Sequence, residues 1–188
     1  MYKIFFNETE LQFETLPSLF SPKNADSGTL LMLENCIAEQ NDKILDLGCG
    51  YGLVGIYYAK IYGNKNIHMS DIDPFAIDMA QENMRLNNLN NINFYVSNAF
   101  DNIDQTDFDI ILSNPPYHAD FNIAKSFIEK GFNRLKVGGK FYMVTKRLDW
   151  YKNKFISIFG GVKITEKDGY YVFMSQKKSK KYAEKNKK

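Results

Sequence analysis

Apolar positions along the chain form short unbroken runs that alternate with longer stretches in which apolar residues recur at helical spacing. Lys43-Ile44-Leu45-Asp46-Leu47 and Phe108-Asp109-Ile110-Ile111-Leu112-Ser113 read as buried strands, and Leu53 to Ile61 reads as a helix. Residues 2–16 alternate around Asn7-Glu8-Thr9-Glu10 and predict a hairpin. A helix is expected from about Ser27 to Glu39, with Asp26 as its cap. The pattern then predicts strand 43–47, helix 52–62, strand 66–70, helix 74–88, strands 92–96 and 108–113, and helix 121–135. Gly138-Gly139 reads as a turn before a strand from Lys140 to Thr145, and a helix over 148–159 stops at Gly160-Gly161. Strands near 162–166 and 170–176 close the series. Alternating strands and helices predict an α/β fold: a mostly parallel sheet with helices on both faces, preceded by an N-terminal hairpin.

Two junctions in this pattern carry chemistry. Between the first strand and its helix lies Gly48-Cys49-Gly50-Tyr51-Gly52. Glycines at a strand-to-helix turn let backbone approach a ligand closely and present amide N–H groups at a helix N-terminus. The next strand ends in Asp71-Ile72-Asp73-Pro74, about 20 residues on, where a carboxylate holds a ribose diol in nucleotide-binding folds. Asp71 ends the strand directly, whereas Asp73, before Pro74, suits a helix cap. Gly50-x-Gly52-x-x-Gly55 matches the dinucleotide fingerprint by letter only. Asp46 at the strand end would face a pyrophosphate badly, but suits the ammonium of a methionine.

The second junction is Asn114-Pro115-Pro116-Tyr117, after the strand that ends at Ser113. Two prolines cannot continue a strand or enter a helix interior, so the backbone here is stiff. The Asn114 amide oxygen and the Pro115 carbonyl form a pair of close acceptors, and a planar amino group offers two donors. Tyr117 can stack on the ring that bears this amine. Hydride transfer has no use for such a seat.

With these residues in place, the chain resembles class I S-adenosylmethionine-dependent methyltransferases of the amine-modifying, Asn-Pro-Pro-Tyr type. Phe20-Ser21-Pro22-Lys23-Asn24-Ala25-Asp26-Ser27-Gly28-Thr29-Leu30-Leu31 resembles the segment before the cofactor domain in small-domain methyltransferases related to the 16S rRNA guanine-N2 methyltransferase C family. The resemblance runs from about Phe20 to Gln176. It implies a Rossmann-like, doubly wound, seven-stranded sheet with an antiparallel final strand. It also implies a single-domain member, without the additional degenerate copy of the domain that larger relatives carry. The domain would span 26–176, after an extension over 1–25. The cofactor would be S-adenosyl-L-methionine, held by Asp46, Gly48, Gly50, Gly52, Asp71, Ile72 and Asn98. Asn98 stands where the family often has an Asp that bonds the adenine amine. Asn114, Pro115 and Tyr117 would seat an acceptor amine, guanine N2 of 16S ribosomal RNA being favoured, free or in the 30S subunit. Adenine N6, a protein glutamine, and a non-catalytic ribosome-associated protein stand as alternatives. His118 is a candidate acid or base beside the target, Cys49 lies on the wrong side of the methyl for covalent chemistry, and His68 reads as structural.

Composition changes this picture little. Hydrophobic residues make up 44% of 188, with no charged-then-apolar leader and no apolar run long enough for a membrane span. Cys36 and Cys49 lack metal-ligand spacing, and reduced thiols in the cytoplasm are the expectation. No metal is expected. Charge is more informative. Lys177 to Lys188 holds seven Lys and one Glu, so this end contributes +6 to a total of +2 and leaves residues 1–176 at −4. That end reads as a disordered tail, either merely solvated or an electrostatic arm for RNA phosphates.

Overall fold

A computed structural model of the chain describes residues 1–14, 25–116 and 120–183. The hairpin is β1 (Tyr2–Phe6) and β2 (Thr9–Phe13). There follow α1 (Ser27–Asn35), β3 (Ile44–Leu47), α2 (Leu53–Tyr62), β4 (Ile67–Asp71), α3 (Pro74–Leu86), β5 (Asn93–Val96), β6 (Phe108–Ser113), α4 (Phe121–Arg134), β7 (Leu135–Thr145), α5 (Asp149–Phe159), β8 (Lys163–Lys167) and β9 (Tyr170–Gln176). Seven strands form one sheet in the order β5-β4-β3-β6-β7-β9-β8. Pairing is parallel from β5 to β7, while β9 runs antiparallel to both β7 and β8.

The central strands β3, β4 and β6 are buried almost throughout because both faces of the sheet are covered. Side chains alternate between two cores: Ile44, Ile110, Leu112, Tyr142 and Val144 pack with α1, α2, α3 and the hairpin. Leu45, Leu47, Phe108, Ile111, Phe141 and Met143 pack with α4 and α5. Two asparagines one turn apart, Asn83 in α3 and Asn87 at its C-cap, hold the hairpin to this body. Asn87 accepts from Gln12 N at 3.0 Å and donates to Gln12 O at 2.7 Å. Asn83 treats Glu14 likewise, accepting at 2.7 Å and donating at 2.9 Å, and its amide also donates to Tyr51 O in the glycine loop. The two side chains thus take the place of a neighbouring strand along the open edge of β2, where unpaired backbone groups would be costly.

Three expectations need adjusting. The first helix ends at Asn35, because Cys36 turns extended at φ −90°, ψ 122°. Gly138-Gly139 is a bulge inside β7: Phe108 pairs with Leu135 but Ile110 with Lys140, and the looped-out residues bond Lys177 through Gly138 N and Gly139 O. That bond pattern bears on the supposed tail. Residues 177–183 pack on the body: Lys177 is buried and donates from Nζ to Leu135 O at 2.6 Å. Tyr182 meets the Phe132 ring at 4.9 Å, and Ala183 N donates to Ile158 O. Burial holds the Lys177 ammonium below its ordinary pKa. Residues 184–188 lie outside the described residues, as do 15–24 and 117–119.

Candidate functional site

The loops at the C-terminal ends of β3, β4, β5 and β6 enclose a cleft of about 300 Å³. This is where ligands bind in open α/β sheets, beside the point where strand order reverses, here between β3 and β6. A broader, shallow hollow of about 570 Å³ between the hairpin and α3 has no comparable convergence of acids and apolar side chains.

The glycine loop turns tightly: Gly48, Gly50 and Gly52 have φ of +75°, +53° and +95°, a region only glycine enters at no cost. Its amides are largely spent inside the protein. Gly48 N and Cys49 N both donate to Ser70 O, Gly52 N to Cys49 O, and Gly50 N to Asp71 Oδ2 at 2.9 Å. Asp71 Oδ1 accepts from Asp73 N. Asp73 caps α3 through Phe75 N, with Pro74 in the first helical position, as its place in the sequence predicts. Asp46 faces the α2 side of the sheet and accepts from Gly55 N at 3.0 Å. Burial pushes its carboxyl up to about 7, and the nearby Asp71 charge adds to the rise. Burial also holds the Cys49 thiol well above its ordinary value, which disfavours the thiolate.

The charge of this cleft is one-sided. Asp26, Asp46, Asp71 and Asp73 line it, and none of the described lining residues is Lys, Arg or His. Such a wall repels a pyrophosphate and favours a ligand with fixed positive charge. Apolar surface completes it: Ile72 is 66% exposed at the rim, and Ile123 and Phe127 of α4 close the far side. Asn98 and Ala99, after β5, also line it. An adenosine carrying a cationic side chain fits this lining: flat apolar faces for the ring, carboxylates for hydroxyls and ammonium.

Asn114 stands at the end of β6, beside this cleft. Its Nδ2 donates to Asp26 Oδ2 and to Thr29 Oγ1, both at 2.8 Å. A carboxylate can only accept, so the amide must turn its nitrogen toward Asp26. That leaves Asn114 Oδ1 buried with no hydrogen-bond partner, and an orphaned acceptor of this kind marks a site where a donor belongs. Asp26 Oδ2 also accepts from Thr29 N and Thr29 Oγ1 at 2.8 and 3.2 Å. One oxygen therefore caps α1 and orients Asn114. Pro115 is buried next to it. Tyr117, His118 and Phe20 fall outside the described residues.

Of the sequence-predicted positions that are described, Asp46, Gly48, Gly50, Asp71, Ile72, Asn98, Asn114 and Pro115 line this cleft, and Gly52 does not. The sequence missed Asp26 and Thr29 as partners of Asn114, because a cap three residues before Thr29 already accounted for them. Phe127 of α4 also borders the cleft, which helical spacing alone does not reveal. His68, by contrast, is structural as expected: it bonds Tyr95 Oη at 3.0 Å inside the sheet, and burial lowers its pKa to about 4.

The fold and the acid-lined cleft define a class I methyltransferase-type α/β domain. The chain belongs to the methyltransferase small-domain family, which it matches over residues 10–175 and whose cofactor is S-adenosylmethionine. It is 33% identical over 178 residues to the ribosomal RNA small subunit methyltransferase C of Psychromonas ingrahamii, covering 93% of this chain and 50% of that protein. It is 30% identical over 174 residues to the uncharacterized protein YbxB of Bacillus subtilis, covering 89% and 87%. The solved 16S rRNA N2 G1207 methyltransferase of T. thermophilus, in complex with AdoMet and guanosine, superposes with a TM-score of 0.85 at 24% identity, over 94% of this chain and 50% of that one. The chain thus spans about half the length of the ribosomal RNA methyltransferases it resembles. No described helix is long and apolar enough to cross a membrane, and no group of three potential metal ligands occurs among the described residues.

Proposed function

We propose that the protein is an S-adenosylmethionine-dependent N-methyltransferase acting on an exocyclic amine, guanine N2 of 16S ribosomal RNA. The observation that carries this reading is the buried, partnerless Asn114 Oδ1, locked in place by Asp26 and Thr29 at the edge of the cleft. Asp46 would meet the cofactor's ammonium, Asp71 its ribose hydroxyls, Ile72 and Phe127 its ring faces, and Asn98 the adenine edge. The cofactor would supply a methyl already activated by positive sulfur. Asn114 Oδ1 and the Pro115 carbonyl would accept the two amine hydrogens, aim the nitrogen lone pair into the cleft and stabilise the positive charge that grows on nitrogen. The methylated nitrogen then loses its proton to water, so no general base is needed. Tyr117 would stack on the base. The target must be unpaired or turned out of its helix. Most named relatives are small-subunit ribosomal RNA methyltransferases, one is named for the large subunit, and the T. thermophilus structure names guanine N2, which supports guanine in ribosomal RNA over adenine N6 or a protein glutamine.

The test is transfer from tritiated cofactor to free 16S rRNA, 30S subunits, tRNA and a release factor, with identification of the labelled nucleoside or residue. Labelled N2-methylguanine in 16S rRNA supports the reading, and label elsewhere overturns it. Asn114→Ala should lower the transfer rate about 10²–10³-fold while cofactor affinity changes no more than a few-fold. Undiminished turnover in this variant would remove Asn114 from the mechanism.

A further inference from the structure

The cleft runs across the ends of β3, β4, β5 and β6, with Asn114 at its β6 edge, next to β7. With Asn114 as the acceptor seat, the surface that flanks the acceptor away from the β3–β5 ends is the end of β7. Ser113 pairs with Met143, so Asn114 and the residues after Thr145 leave adjacent strands at the same edge of the sheet. Thr145 in turn pairs with Tyr171, which brings the start of β9 alongside.

Cations and rings are interleaved on this edge. The Arg147 guanidinium lies 4.8 Å from the Phe121 ring centre, and Phe121 stacks on Trp150 at 4.6 Å and 30°. The Lys146 ammonium lies 4.8 Å from the Tyr170 ring. Lys146 is exposed, and the other four are partly so. Arg147 N donates to Thr145 Oγ1, which fixes the turn that presents both cations. Two nearby acids belong to helix starts: Asp120 accepts from Asn122 N and Nδ2, and Asp149 sits in the first turn of α5. Glu34 and Asp168 border the hollow beside Tyr170, where Glu34 pairs with Lys167. The Arg147 contact with Phe121 is a partly exposed cation–π pair, a kind of contact that contributes only about 0.5–1 kcal/mol.

We propose that this ledge of Lys146, Arg147, Phe121, Trp150 and Tyr170 binds the single-stranded RNA that flanks the acceptor base, bases on the rings and phosphates on the cations. The proposal rests on the reading of Asn114 as the acceptor seat. Charge favours it, because the four aspartates on the cofactor side repel a phosphate chain and the two cations lie on the opposite flank. Position favours it over the lysine-rich C-terminal segment. That segment leaves the sheet beside Gly139, six residues from Thr145 along β7, or about 20 Å away. Alternating rings and cations beside an unpaired base are the chemistry with which proteins hold single strands.

The experiment is fluorescence anisotropy of the full chain, saturated with S-adenosylhomocysteine, against a labelled single-stranded RNA of mixed sequence, across a salt series. Arg147→Ala and Lys146→Ala should each weaken binding about 5- to 30-fold and flatten the dependence of log affinity on log salt. Arg147→Lys should recover the salt slope but not all the affinity, since a lysine cannot stack as a plane. Melting temperature and cofactor affinity should match the parent, which keeps a folding defect from passing as a binding one. Parental RNA affinity in both alanine variants, or no RNA binding by the parent, overturns the ledge. The outcomes separate from those of the reaction. RNA bound through the ledge with no RNA methylated sinks the activity and leaves the surface, whereas methylation unaffected by these variants does the reverse.

Discussion

Asp26 holds two structures with one oxygen, the start of α1 and the amide of Asn114. Asp26→Ala removes both, and the helix cap alone is worth about 1 kcal/mol. Asp26→Asn can keep the cap and present one oxygen to Asn114, so it should melt near the parent temperature. Single-turnover transfer should then fall strongly in Asp26→Ala and only mildly in Asp26→Asn. On an Asn114→Ala background neither change should slow the reaction further, as expected of residues that act through one another. Additive losses in that double-mutant series would refute the link. Asp46 makes a separate prediction. Its carboxyl titrates near 7 without ligand, and a cationic ligand prefers the ionised form. Cofactor affinity should therefore rise about tenfold from pH 6 to pH 8 by calorimetry, and Asp46→Asn should abolish the slope. Stability of the ligand-free protein carries the opposite sign. A carboxyl raised above its unfolded value of about 4 binds more protons folded than unfolded between about pH 4 and 7. Asp46's contribution is thus full below about 4 and lost as pH rises through 7.

At the scale of elements, the glycine loop shows how closely α2 is set against the sheet. A Cβ on Gly52 would lie 3.0 Å from Met69 Cε and 3.1 Å from Ala80 Cβ, on a backbone with φ +95°. Gly52→Ala should cost at least the 1–2 kcal/mol or so of the left-handed conformation, and should weaken cofactor binding with it. A melt and a cofactor titration check both effects, and an unchanged melt would mean that the loop relaxes freely. The elements themselves were legible in the sequence. Unbroken apolar runs such as Ile110-Ile111-Leu112 announce strands covered on both faces, and Asp73-Pro74 announces a helix start to the residue. The lining of the candidate site was legible where it is local in sequence, in Gly48, Gly50, Asp71 and Asn114. It was not legible where it depends on contacts far apart in sequence. Asp26 reaches Asn114 across 88 positions, and no local pattern distinguishes a cap that also orients a distant amide. The bulge at Gly138-Gly139 was hidden for a like reason, since its partner Lys177 lies far along the sequence, just after β9.

At the scale of the molecule, the C-terminal segment belongs to the fold more than its composition suggests. Truncation after Gln176 removes the Lys177 pairing with Gly138 and Gly139 and the packing of Tyr182 on Phe132. If these contacts are worth about 2 kcal/mol, the melting temperature should drop by about 4–8 °C. An unchanged melt would show that the segment adds nothing to stability. The strand order has another consequence, in time. β3 and β6 are neighbours, yet Ile44 and Ile110 come together only after the intervening chain has wound through β4 and β5. The hairpins β1–β2 and β8–β9 close within a few residues, so they can form early, whereas the parallel centre must first meet the entropy of a long loop. Asp46 and Asn114 sit on either side of that seam. In refolding, ligand-binding competence should lag behind recovery of secondary structure, because the seam that makes the site is among the last contacts to close.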